Sequence, residues 1–496
     1  MNNLLEEAKR LVRMNSVTAS GNEEIANYVV DLMKDCGLKT QLQLVMHSLE
    51  DVSKRQFNAI GILGDQLVDR KTKKGLLLCS HLDTVPTGCH ADWTESAGNP
   101  FSAEVKSGSL YGLGAADSKV DFLCKLFAID RLRERHFKQP VYLVGTCGDE
   151  LGMFGARYLI KAMTLNPQSV VVGEPSNLML IDGHKAMLAL RITAGIQQIE
   201  RDARGFNRRV VMYSQGLSSH GANPAGGRNA ISQLFDFFFY AEECGFELRF
   251  VKFEGGDSLN KVPDAARAEF FMTAHQLEDF KRFFREYISA QGPGFERAFR
   301  AELGGLGDSG VKFLPEDFSK LFRELFSGIE EWKLGLTKDS LGEFSPDTST
   351  VSLGLLSQRQ SGIDLLLDCR LLPTQDPIEC ESQLKEILKK VCAKFPRVNL
   401  TVHREGLNPA FGADQNSELM RNSLQALRDV GLEKNVGKLS VSTEAAHFQQ
   451  AGFDTIVFGP GESLGNIHGP NEKLLLSHVE KTVLFYQRLI ERTCCA

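Results

Sequence analysis

The chain has 496 residues, 42% of them hydrophobic and 24% charged, and a formal net charge of -6. This length exceeds one ordinary core and predicts about two to three domains, and the composition is that of a folded globular protein, not a disordered one. The acidic balance excludes a general nucleic-acid binder but leaves small anionic substrates open, because a metal site supplies its own positive charge.

The opening MNNLLEEAKRLVRMNS reads as an amphipathic helix and lacks the apolar core of a signal peptide. No apolar run reaches the length of a membrane span, and Phe235 to Tyr240 is far too short. A second helix follows Asn22, with Ile25, Val29, Leu32 and Met33 on one face and Cys36-Gly37 closing it. GLLLCS, VYLVGT, SVVVG and TIVFG are near-continuous apolar runs, the pattern of strands buried on both faces of a sheet. Helical patterns lie between them at Lys119 to Glu134 and Gly155 to Thr164. The alternation predicts an α/β domain with a mostly parallel central sheet. The 11 cysteines are scattered without a CxxC pair, and Cys79 and Cys147 fall inside apolar runs. Reduced, buried thiols of a cytoplasmic protein are expected. The terminal Cys494-Cys495 lacks the spacing of a prenylation box.

The middle of the chain has another texture. Lys185 to Thr193 and Val210 to Gln215 alternate like strands of a half-exposed sheet. A helix is predicted from Asn229 to about Glu243 and a strand from Glu247 to Glu254. From about Gln276 to Glu331 the chain is Phe-rich, charged and helical, and strand character returns at STVSLGLL and GIDLLLDCRLL. The expected division is therefore residues 1–185, an inserted α+β domain at 186–375 with an enlarged helical excursion, and a return to the first domain at 376–496. That return would open with a helix at Ile378 to Lys394.

Hard ligands cluster where the apolar runs end. GLLLCS runs into His81 and Asp83, a Gly-rich turn leads to Asp117, and VGTCG leads to Asp149 and Glu150. SVVVG ends in Glu174, and TIVFG leads on to His468. Any one of these alone fits a helix cap or turn residue. Gathered at one sheet edge, the carboxylates would raise one another's pKa values until they neutralise or bind a cation. Imidazole with carboxylate suits zinc, and one shared carboxylate would let two ions sit about 3.5–4 Å apart. Spacing alone leaves the metal site and the set of caps as alternatives.

The motifs CSHLDTVP (Cys79 to Pro86), LYGLGAADSK (Leu110 to Lys119), GDELGMFGARYL (Gly148 to Leu159), GEPS (Gly173 to Ser176) and GPGESLGNIHGPNE (Gly459 to Glu472) arrive in order across nearly the whole chain. Together they resemble the dinuclear-zinc family of acetylornithine deacetylase, succinyl-diaminopimelate desuccinylase, aminoacylases and several carboxypeptidases and dipeptidases. GARYL, GEPS and Ser442-Thr443-Glu444-Ala445 look most like acetylornithine deacetylase. The resemblance implies a zinc-exopeptidase-like catalytic domain and an inserted lid or dimerisation domain. It also implies two Zn(2+) per subunit, a ligand set that Co(2+) or Mn(2+) would also accept. Asp117 would bridge the ions, with His81 and Glu174 on one and Glu150 and His468 on the other. Asp83 would orient His81, and a cis peptide would join Asp117 to Ser118.

The same resemblance makes the residue at 149 the general base, normally the first Glu of a Glu-Glu pair; here it is Asp149, one methylene shorter. GLSSHGANPAGGRNAI (Gly216 to Ile231) looks like the segment whose His binds the oxyanion, which implies His220, against a plain loop-capping role. Asn260, in EGGDSLNKVPDAA, is the implied substrate contact. Arg370, in LLLDCRLLP, is the implied carboxylate-binding Arg, against a structural ion pair. The implied substrate is a small N-acyl amino acid or a dipeptide with a free carboxylate, cut at its amide bond. No nucleic acid or membrane is involved, and a homodimer through the inserted domain is implied. The readings to separate are a deacylase, a dipeptidase or carboxypeptidase, and a relative weakened by Asp149 that only binds. In the long excursion, ordinary packing of Phe against the lid sheet competes with a substrate-closing flap or a subunit contact.

Overall fold

The computed structural model describes residues 2–47, 54–64, 74–162, 165–196, 198–200, 205–292, 295–306, 311–360, 362–432, 435–463 and 465–495. The chain divides into two compact units: Met1–His184 with Asn408–Ala496, and Lys185–Leu407.

The first unit is built on a mixed nine-stranded sheet. Its centre is four parallel strands in the spatial order Val141–Thr146, Leu76–His81, Ser169–Gly173 and Asp454–Val457. Every residue of the first three is buried, which is why they read as unbroken apolar runs. Antiparallel strands flank this centre, and one further parallel pair, Val436–Leu439 with Leu180–His184, lies outside it. Alternate residues feed separate cores on the two faces. Leu76, Leu78, Val141 and Leu143 join a core with the helices Lys119–Arg131 and Leu476–Cys494. Leu77, Cys79, Tyr142 and Val144 join another with Phe154–Lys161 and Ala445–Gln450. Helices thus cover both faces, as expected for an α/β domain. The helix expected at Gly155 to Thr164 ends at Lys161, and Thr164 lies outside the described residues.

From Leu76–His81 the chain passes through one helix to the strand on one side, then through another to the strand on the opposite side. The strand order therefore reverses at Leu76–His81. Open α/β sheets place their sites beyond the carboxyl ends of strands at such a reversal.

The second unit holds an eight-stranded sheet, antiparallel from Phe299–Leu306 at one edge through Ala186–Gly195. Its helices Ala230–Glu243, Leu277–Ala290 and Phe318–Leu336 share one aromatic core. Phe238 meets Phe250, Phe253 and Phe270 edge to face, Phe237 meets Phe280, Phe284 and Tyr287, and Phe235 stacks on Phe253 and Phe322. The Phe-rich excursion is interior packing in this unit.

Two expectations are corrected. The excursion is not helical throughout, because Phe299–Leu306 is a strand paired with Phe206–Gln215. Its side chains carry little strand signal (Phe299 is buried but Leu303 is 47% exposed), so backbone hydrogen bonds hold it at the edge. The first unit resumes at Asn408 and not at 376. The helix Pro377–Lys394 packs on Phe318–Leu336, where Trp332 Nε1 donates to the Cys380 carbonyl at 3.0 Å, and Asn399–Asn408 joins the second sheet. An amphipathic pattern marks a helix without saying which sheet it covers. Among the described residues no helix is long and apolar enough to cross a membrane.

Candidate metal centre

The carboxyl ends of the parallel strands deliver the polar residues. His81 is the last residue of its strand and is buried. Glu174 directly follows Ser169–Gly173, and Asp149 and Glu150 lie in the turn after Val141–Thr146. Gly173 is required for this arrangement. A Cβ there would overlap Asp121 Oδ2 and Lys125 Nζ, part of a buried network beneath the His81 strand. In that network Lys125 Nζ lies 2.7 Å from Asp121 Oδ2 and 2.9 Å from Ser80 Oγ, and Tyr486 donates to Asp121 Oδ1 at 2.7 Å.

Asp117 lies between the two histidines. Its Oδ1 is 3.0 Å from His81 Nε2 and its Oδ2 is 3.2 Å from His468 Nε2, which is also 3.3 Å from Glu150 Oε2. The Asp117–Ser118 peptide is cis. Two sets of ligand atoms, on His81, Asp117 and Glu150 and on His81, Asp149 and Glu174, each lie within 4.8 Å of one another. The five expected ligands and Asp149 therefore gather in one place, with His81 common to both sets.

Asp83 meets the His81 ring most closely through its backbone. His81 Nδ1 is 3.0 Å from the Asp83 carbonyl and 3.8 Å from its Oδ1. The buried carboxylate accepts from the backbone N–H of Asp149 at 3.2 Å and of Glu150 at 3.4 Å, and from Thr18 Oγ1 at 2.7 Å. It thereby fixes the turn that presents both acids.

Sequence reasoning missed two carboxylates. Glu472 is buried and accepts from the N–H groups of Gly114, Ala116 and Asp117 at 3.1, 2.9 and 3.1 Å. It clamps the turn that carries Asp117, and it stands in a motif already singled out, so position was a usable signal. Glu444 is also buried and accepts from Thr146 Oγ1 at 3.0 Å and Cys79 Sγ at 3.4 Å. Burial pushes both acids up to about 7; Asp117 adds to this at Glu472, while His81 opposes it at Glu444.

The electrostatics show a charge mismatch. Burial holds the Asp149 carboxyl well above its usual value, with Glu174, Glu444 and Glu150 adding and His81 opposing. Glu174 is raised in the same way by burial and Asp117. Burial disfavours a charged His81, yet Asp149, Asp117 and Glu174 overcome it and hold that imidazole's pKa well above the ordinary value. His468 follows the same pattern through Glu150 and Asp117. Asp117 is the exception among the acids, because the two imidazoles outweigh burial and lower it. Asp149 Oδ1 is buried with no hydrogen-bond partner among the described residues. Divalent cations would relieve each of these features, and imidazole with carboxylate is a donor set for zinc, cobalt or manganese. The residues fit a metal centre.

The remaining candidates belong to the second unit, where they meet around Gly221. Its N–H donates to the Asn260 carbonyl at 2.7 Å, and a Cβ on it would overlap Asp368 Oδ2. His220 bridges to Lys261, and its Nδ1 accepts from the Ala222 N–H at 3.0 Å, which puts the ring proton of the neutral imidazole on Nε2. Asn260 Oδ1 accepts from Ser258 Oγ at 2.6 Å. Arg370 is bidentate to Asp368, Nε to Oδ1 at 2.8 Å and Nη2 to Oδ2 at 3.1 Å, so its fork faces a carboxylate of its own strand.

Comparison with known proteins adds the following. The family described as "Peptidase family M20/M25/M40" matches residues 77–492. An acetylornithine deacetylase from Proteus mirabilis is 31% identical over 325 residues, covering 58% of this chain and 73% of that relative. The solved aminoacylhistidine dipeptidase from Vibrio alginolyticus shares the fold with a TM-score of 0.65 at 17% identity, over 99% of this chain and 97% of that one. An M20 family metallo-carboxypeptidase from Sulfolobus solfataricus shares it with a TM-score of 0.59 at 18% identity, over 99% of each chain.

Proposed function

The chain belongs to peptidase family M20/M25/M40, metal-dependent hydrolases of amide or peptide bonds, and we propose that it cleaves the amide bond of a small N-acyl amino acid bearing a free carboxylate. The observation that carries this reading is Asp117, whose two oxygens each meet a different imidazole, the disposition a bridging carboxylate needs. In this reading two zinc ions are held, one by His81, Asp117 and Glu174 and the other by Asp117, Glu150 and His468. Cobalt or manganese would suit the same donors.

Bound ions would supply an acidified water and polarise the scissile carbonyl. The Asp149 carboxylate would take up the proton released in the attack and pass it to the leaving amine. Its buried Oδ1, with no hydrogen-bond partner among the described residues, supports that role. Asp83 keeps Asp149 and Glu150 in register through their backbone N–H groups. His220, with its proton on Nε2, is the donor proposed for the oxyanion. Asn260 is proposed to contact substrate, and Arg370, fixed by Asp368, to hold its carboxylate. A homodimer through the second unit belongs to the same proposal.

A dipeptidase or carboxypeptidase is the second reading, favoured by the size of the second unit, Lys185–Leu407. The test is free amine released from a panel of N-acetyl amino acids, N-succinyl amino acids and dipeptides, with metal content measured on the same samples. We expect turnover that chelation abolishes. Asp149→Ala should lower kcat by about 10²–10⁴ with both ions retained, and His81→Ala should lose metal as well as activity. An inactive protein holding two ions, still inactive as Asp149→Glu, would overturn the hydrolase assignment on this panel. The best substrate chooses between the two readings.

A further inference from the structure

Glu444 precedes the helix Ala445–Gln450, on the face of the first sheet opposite the helix Lys119–Arg131. One of its oxygens, Oε2, takes hydrogen bonds from two different strands, from Cys79 two residues before His81 and from Thr146 three residues before Asp149. Those strands are neighbours, with His81 paired to Thr146 in register. The carboxylate therefore lies across the ends of both site-bearing strands. Its other oxygen, Oε1, is buried and has no hydrogen-bond partner among the described residues. Leaving a buried acceptor unsatisfied costs stability, and a carboxylate among other acids costs more unless a cation balances it.

We propose that Glu444 is a positioning residue of the metal centre: an outer anion that sets negative charge behind the ion held by His81 and Glu174 without binding that ion. The proposal rests on the metal-centre reading above. The position of Glu444 agrees with this, since the Cys79 and Thr146 that it holds belong to paired strands leading to His81 and Asp149. Glu444 reaches the centre through the strands and not through the His81 ring, whose Nδ1 faces the Asp83 carbonyl; loss of an outer partner typically weakens metal binding by about 10–100-fold.

Glu444→Gln keeps an oxygen for Thr146 and removes the charge. Glu444→Asp keeps the charge but shortens the reach to Cys79 and Thr146. Zinc would be titrated into each metal-free protein at pH 8 against a competing chelator, with cobalt absorption spectra and the thermal midpoint of each metal-free form. The expected result is that Glu444→Gln binds one of two ions about 10–100-fold more weakly while its metal-free midpoint is unchanged or higher. Glu444→Asp should hold both ions nearly as the wild type does. Wild-type affinities for both ions in Glu444→Gln would overturn the proposal. So would an equal loss in both variants, or an ion lost from Glu444→Asp if Glu444→Gln does not fold, since these mark a purely structural latch. Wild-type protein that binds no ion would overturn the underlying metal-centre reading, and this proposal with it.

Discussion

Gly173 illustrates how tightly single positions are specified around the centre. Adding one methyl drives it into Asp121 and Lys125, a charged pair that is fully buried. Gly173→Ala should destabilise the metal-free protein by about 2–4 kcal/mol, since overpacking and a disturbed buried ion pair act together; urea denaturation checks this. Glu472→Ala strands three buried N–H groups of the Asp117 turn, so zinc affinity and thermal midpoint should fall together, measured by chelator competition and calorimetry. At this scale the sequence was legible where a hard ligand follows an apolar run, as with His81, Asp149, Glu150 and Glu174. The role of Glu444 was not legible, because Thr146 lies 298 residues away along the chain, whereas Glu472 had its place in a quoted motif as a signal, though its partner Gly114 lies 358 residues away. The Arg370 ion pair had a signal that was not used. Asp368 and Arg370 stand two apart on a strand, so both side chains emerge on one face.

The elements divide by what holds them. Strands buried on both faces advertise themselves in the sequence, and the four parallel ones were all legible from apolar runs. Phe299–Leu306 was not, because an edge strand depends on its neighbour's backbone and not on its own pattern. The helix Pro377–Lys394 was legible as a helix but not as part of the second unit, since the Trp332–Cys380 contact that places it is long-range. The aromatic helices of that unit give a direct prediction. Phe238 is 1% exposed and meets Phe250, Phe253 and Phe270, so Phe238→Ala should cost about 3–5 kcal/mol. Differential scanning calorimetry should show that loss in the stability of the second unit.

For the molecule as a whole, the raised acids set the pH response. Glu444 and Glu472 are pushed from the ordinary glutamate value of 4.5 to about 7, first of all by burial. Between those values the folded state binds more protons than the unfolded one, so stability falls as pH rises and levels off above about 7. Each group contributes on the order of 3 kcal/mol to that decline. The metal-free protein should therefore melt at a lower temperature at pH 8 than at pH 5, with Asp149 and Glu174 acting in the same direction and buried His447 and Lys119, lowered to about 4 and about 7, offsetting part of it. Zinc-saturated protein should resist this decline, because the cations stabilise the ionised acids; parallel melts across that range check both statements. The discontinuity of the first unit has a consequence for biosynthesis. A ribosome releases His81, Asp117, Glu150 and Glu174 first, then all of Lys185–Leu407, and only afterwards the strand Asp454–Val457, His468 and Glu472. Domains fold as units as they emerge, so the second unit can be complete while the first still waits for its fourth parallel strand. In the proposed ligand assignment, the ion that needs His468 can then be loaded only late in the maturation of each newly made chain.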